Sequence, residues 1–226
     1  MPHPLSAVED AVRTGAEAAA RAVAAVRRAR AVHPRGRTFR AILRTRGGGG
    51  YGVDLLDRPG EYPTLVRLSR GAGLPPAWPD VLGVALRVTG AGGPGADLDL
   101  LFSTTADDAP LARHLPLPRR RPDAVYTTVS GYRTRRGRRY LAVRPDPTAG
   151  GAAAVPAALL LAVATRYGPW RVFGRITLDA PLPADADAEV AFDPVRHRCA
   201  GLDPDGLLWR LRAAAYRGSR HGRGLR

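Results

Sequence analysis

One cysteine, Cys199, stands in a chain of 226 residues. An internal disulfide is thereby excluded, as is any cysteine-rich metal or iron–sulfur site, and the count suits a reducing cytoplasm. Lysine, asparagine and glutamine are missing altogether, so all 35 basic residues are arginine and no site can use a side-chain amide. No HExxH pair or facial-triad spacing occurs. No glycine-rich phosphate loop follows a strand; Gly90–Gly95 reads as a turn between strands. No G-x-S-x-G elbow is present, and no segment repeats. The most apolar run, Ala152–Thr165, is too short to span a bilayer and carries Pro156. Residues 1–30 contain Glu9, Asp10 and Glu17 and lack the apolar block of a secretory signal. The expectation is a cytoplasmic protein with no membrane role.

What is present suits one well-buried core, so residues 1–226 are read as a single domain. Hydrophobic content is 45%, ordinary for a globular protein, whereas the formal charge of +15 is extreme. Two readings of the charge stand side by side: a coding bias toward arginine, or an anionic partner such as nucleic acid, a membrane surface or a carboxylate-bearing cofactor.

Ser6-Ala-Val-Glu9 forms a capping box, and Val8, Val12, Ala16, Ala19, Val23 and Val26 recur at helical steps. They predict an N-terminal helix from about 7 to 30. Between 37 and 103 the period becomes two. Phe39–Thr45, Gly52–Leu56, Thr64–Ser69, Gly83–Val88 and Leu98–Ser103 read as strands, the first two joined as a hairpin through Gly47–Gly50. Asp107–His114 reads as a short helix and Leu115–Asp123 as a Pro/Arg linker. Val125–Ser130 and Arg139–Val143 read as a hairpin turned at Arg135-Arg136-Gly137. A helix over 152–166, a strand over Trp170–Leu178 and a final helix over 204–220 follow. The class expected is α+β: an antiparallel β-barrel with helices packed outside and at both termini.

Three groups of residues could carry chemistry. His33, in Arg30-Ala-Val-His33-Pro-Arg35-Gly36, sits at a helix-to-strand transition where an imidazole can titrate near neutrality; a surface or capping histidine is the plain alternative. Arg212 and Tyr216 lie four apart on the last predicted helix, hence on one face. A phenol of pKa about 10 is a poor ligand until a ferric ion and a guanidinium favour its anion, and tyrosinate is a known proximal haem ligand. The alternative is a basic helix with one aromatic. Arg67 and Ser69 share one strand face while Val66 and Leu68 share the other. If buried, Arg67 needs an anion, and a carboxylate suits its forked donors; if not, it sits on the wet face. His3, His114, His197 and His221 lack comparable neighbours.

These segments resemble the core of the haem catalases. Arg30-Ala-Val-His33-Pro-Arg35-Gly36 matches that family's distal-histidine motif position for position. Val66-Arg67-Leu68-Ser69 is similar to its Val-Arg-Phe-Ser strand, and Asp80-Val-Leu-Gly83-Val-Ala85-Leu-Arg87-Val to its Asp-x-Arg-Gly-Phe-Ala-x-basic-Phe strand. Arg212, Tyr216, Ser219 and Arg223 resemble its Arg-x-x-x-Tyr with Thr and Arg beyond. The chain is similar to short bacterial members that keep the barrel and shed extra domains. The resemblance implies a catalase-like barrel holding haem b. It makes His33 the distal histidine, oriented by Ser69, and Tyr216 the iron ligand, supported by Arg212. It sets Arg30, Arg67 and Arg223 near the propionates or the proximal side.

Departures also stand in the sequence. Where catalases carry Asn-Asn-Thr, this chain has Ser103-Thr104-Thr105; Leu82 replaces an arginine; and the phenylalanine after the histidine comes one residue early, at Phe39. With no amide to hold peroxide, Thr104 is taken as the substitute group, and weak or no true catalase activity is expected. The implied activity is a peroxidase-like oxidation: His33 takes a proton from a hydroperoxide and returns it to the departing oxygen, while an organic small molecule is oxidised. Two other classes remain open: a haem-free or passively haem-binding module, and nonspecific nucleic-acid binding through Arg217, Arg220, Arg223 and Arg226, which lacks interleaved aromatics. An oligomer is compatible with the sequence.

Overall fold

The computed structural model describes residues 35–71, 78–106, 113–120, 122–150, 155–206 and Trp209. The expected N-terminal helix, the Asp107–Ala112 part of the short helix and most of the expected C-terminal helix lie outside these residues.

Among the described residues there are ten strands: β1 (Arg35–Arg46), β2 (Pro59–Arg70), β3 (Leu82–Gly93), β4 (Ala96–Thr104), β5 (Tyr126–Thr127), β6 (Gly131–Thr134), β7 (Gly137–Pro145), β8 (Ala158–Ala164), β9 (Arg171–Pro181) and β10 (Asp203–Asp205). Two short helices, α1 (Asp54–Asp57) and α2 (Ala184–Glu189), join them. All pairings are antiparallel. The order β7-β5-β4-β3-β2-β1-β9-β8 returns to β7 through six β7–β8 pairs, which closes an eight-stranded barrel. Closure pairs most strand edges with a neighbour, although the two-residue β5 meets β4 only at Ser103 and Thr104. β6 and β10 extend from one end of β7.

Period-two alternation builds the interior. Leu43, Val66, Leu86, Leu100, Leu141, Leu161 and Ile176 are all wholly buried and form one cluster. The lumen is tight: a methyl at Gly174 would meet Leu43 Cδ1 at 2.9 Å. Tyr51, Val53, Leu55 and Leu56 of the α1 turn, with Leu202, join the same cluster.

Four expectations are corrected. Gly52–Leu56 is not a strand, and β1 pairs instead with β2 across this segment. The Asp57 carboxylate accepts the amides of Tyr51 at 2.7 Å, Gly52 at 2.6 Å and Val53 at 3.0 Å, which closes a helical turn. Residues 158–164 are a strand, not a helix. Leu159, Leu161 and Val163 face the lumen while Ala162 and Ala164 are buried on the other face, so both faces are apolar and the run has no alternation to read. Pro204 belongs to β10 and pairs with Tyr132, so no helix begins there; Trp209 is helical. The described residues are therefore mostly strand, and apart from Trp209 the helices expected at the two ends lie outside them. The hairpin turned near Arg136 is present, but its first arm is interrupted between β5 and β6, where Val129 takes φ 58°.

Candidate functional site

The outer wall of β1–β4 presents three rows of residues, fixed by strand register. Gly36, Ser69, Gly83 and Ser103 lie side by side, each paired with the next. Thr38, Arg67, Ala85 and Leu101 form the second row, and Arg40, Leu65, Arg87 and Asp99 the third. The first row carries nothing larger than a hydroxymethyl group. It is a strip of small residues with hydroxyls at two positions. Gly36 has to be glycine, because a Cβ there would meet the Leu68 carbonyl oxygen at 2.9 Å and Ser69 Cβ at 3.0 Å.

Ser69 is half-buried and its Oγ donates to the Gly83 carbonyl at 3.3 Å. Arg67, expected on the same face, is there. Its Nη1 donates to Asp187 Oδ1 on α2 and to Thr38 Oγ1 at 3.2 Å, and the wholly buried Thr38 hydroxyl donates to the same Asp187 oxygen at 2.5 Å. The anion that Arg67 requires is thus supplied from within the chain.

Thr104 is not on this wall. Alternation turns it inward, fully buried, where its hydroxyl donates to the Leu117 carbonyl at 2.7 Å and accepts the Leu82 amide at 3.1 Å. The residue beside Ser69 is Ser103. Thr105 continues the outward alternation; it is 1% exposed, and its Oγ1 has no hydrogen-bond partner among the described residues. Phe39 points into the lumen and Leu82 is buried. His33, Arg30, Arg212, Tyr216 and Arg223 lie outside the described residues. Among those described, no group of three His, Cys, Asp or Glu could hold a metal, and no helix is long and apolar enough to cross a membrane.

A second polar group flanks the wall. Asp99, with a fully buried carboxylate, accepts both prongs of Arg87 at 2.8 and 2.7 Å, the Asp193 amide at 2.6 Å, and contacts His197 Nδ1 at 2.9 Å. The hydrogen bonds to Asp99 raise the Arg87 pKa despite partial desolvation, so the guanidinium stays charged. His197, unremarkable in sequence, is a structural partner here. His114 packs by stacking on Tyr140, with ring centroids 3.9 Å apart. Sequence reasoning also missed Thr38 and Asp187. The available signal was residues 179–193, which carry five acidic residues and no arginine in an otherwise arginine-rich chain.

A row of small residues, two serine hydroxyls and the Arg67 guanidinium, which Asp187 engages, are what the described residues could offer a group bearing carboxylates. A porphyrin is such a group.

No family model and no curated protein matches the sequence. The fold does match solved structures. A bacterial catalase superposes with a TM-score of 0.58 at 15% identity, over 84% of this chain and 56% of the other. A fungal catalase gives 0.60 at 13% identity, over 86% and 59% respectively. The chain therefore covers less than two thirds of each of these longer proteins, and its barrel is a catalase-like one.

Proposed function

We propose that this protein is a haem-dependent, catalase-related oxidoreductase that consumes a hydroperoxide to oxidise an organic small molecule. The observation that carries the reading is the strip Gly36–Ser69–Gly83–Ser103 with Arg67 beside it, on the outer wall of a catalase-like barrel. Tyr216 would hold the iron and Arg212 would keep its phenol ionised. Arg30, Arg67 and Arg223 would receive the carboxylates. When bound, haem supplies the redox chemistry that no residue of this chain can. The chain supplies the proton handling: His33 holds the proton of the hydroperoxide and delivers it to the leaving oxygen, with Ser69 orienting the ring. Ser103 offers a hydroxyl where catalases have an amide, so peroxide is held less firmly and dismutation is slow. The partners are a peroxide and an organic co-substrate, with no membrane role and no specific nucleic acid.

The test is an absorption spectrum of the purified full chain reconstituted with haemin, before and after peroxide. A Soret band that changes on peroxide addition and returns with an organic reductant is expected. A chain that takes up no haemin rejects the proposal. A second reading, a barrel that works without haem as a binding module, draws on Asp187, which already satisfies Arg67.

A further inference from the structure

Residues 182–193 form a strap across the outer wall. The strap is fastened at its start by the Leu182 amide to the Thr38 carbonyl at 2.8 Å. At its end the Asp193 amide meets Asp99 Oδ2 at 2.6 Å and the Ala191 carbonyl accepts Arg87 Nη2 at 2.5 Å. Between these fasteners α2 sets Asp187 on Arg67, directly beside the small-residue row. The side chains of Arg67 and Asp187 are 21% and 15% exposed, so the pair is shielded yet reachable. It is also incomplete. Both Thr38 and Arg67 converge on Oδ1, and Arg67 uses only Nη1 rather than its two-pronged fork. A carboxylate arriving along the wall could take the fork in the bidentate geometry that arginine favours.

We propose that Asp187 is a built-in competitor: its carboxylate holds the anion seat of Arg67 until the carboxylate of an incoming ligand displaces it. The inference rests on the haem reading above and adds to it a residue that sets affinity. An internal ligand lowers apparent affinity by the fraction of molecules whose seat is open. A seat filled nine times in ten or more means that removing the competitor tightens binding by about tenfold or more.

The experiment is a haemin titration of the full chain followed at the Soret band, for wild type, Asp187→Asn, Thr38→Val and Asp185→Asn. Asp185 lies on the same helix with no contact to Arg67, and removes the same charge. Asp187→Asn should tighten haemin about tenfold or more, and Thr38→Val, which frees Asp187 without changing charge, several-fold. Asp185→Asn should match wild type. Haemin dimethyl ester, which has no free carboxylate, should bind all four alike. If Asp187→Asn binds haemin no tighter than Asp185→Asn, or if the ester shows the same gain, the competitor is disproved while the haem reading stands. If no variant binds haemin, both fall.

Discussion

Thr104 and Ser103 are sequence neighbours on opposite faces of β4, and removing the hydroxyl of each in turn separates the two faces. Thr104→Val keeps the side-chain shape and deletes one oxygen. That oxygen serves the Leu117 carbonyl at 2.7 Å and the Leu82 amide at 3.1 Å in a site with no solvent exposure. Each backbone group left without a partner costs about 1–3 kcal/mol. The Leu117 amide keeps its bond to the Thr104 carbonyl at 2.8 Å, which holds residues 115–120 near β4 and limits the loss. A total of about 3 kcal/mol is expected, and at about 2–4 °C per kcal/mol for a chain of this size the melting temperature should fall by roughly 6–12 °C. Ser103→Ala faces outward and should move it by less than about 2 °C, because a half-exposed hydroxyl contributes about 0.5 kcal/mol or less. Peroxide turnover per bound haem should behave in the opposite way, unchanged in Thr104→Val and reduced in Ser103→Ala. Differential scanning calorimetry and stopped-flow spectroscopy read the two effects. A Thr104→Val protein that melts like wild type yet loses peroxide reactivity would refute the strand parity on which the site is built.

Tyr216→Phe should lose haem, and His33→Ala should keep it while slowing the peroxide reaction about a hundred- to ten-thousand-fold, both visible in the Soret region. Asp99→Ala leaves Arg87 without its carboxylate and should destabilise by about 3–5 kcal/mol in urea titrations; pairing it with Arg87→Met should recover part of that loss. The Asp146 pKa is lowered to about 2, by the Thr148 side chain first and the Arg175 guanidinium next. A carboxyl held below its unfolded value near 4 stabilises the fold above that pH, and its contribution disappears as pH falls from about 4 toward 2. The urea midpoint of Asp146→Asn should therefore lie below that of wild type at pH 6 and converge with it near pH 2.

The barrel was legible wherever a strand has one wet face and one dry face. β1, β2, β3, β4 and β9 alternate, and each lies within a few residues of its expected place. β8 does not alternate, since Ala162 and Ala164 are covered by other parts of the chain, and its leucines and alanines read as helix. The α1 turn was hidden because its cause is one carboxylate, Asp57, gathering amides up to six residues earlier. For the site, Arg67 and Ser69 could be placed from parity alone. Ser103 could have been chosen over Thr104 by the same parity, since the outward row follows from Gly83. Asp187 could not be assigned, because nothing local in a sequence says which of five nearby carboxylates a strap will set on an arginine.

The pairing of β1 with β9 has a consequence for biosynthesis. Leu43 meets Ile176 across that seam, so the cylinder cannot shut until β9 has been synthesised and has left the ribosome. Until then β1 waits with one side unsatisfied, the kind of template on which nascent chains stick together. Arg40 and Arg44, both exposed on that strand, put like charges on the waiting edge and keep two such chains apart.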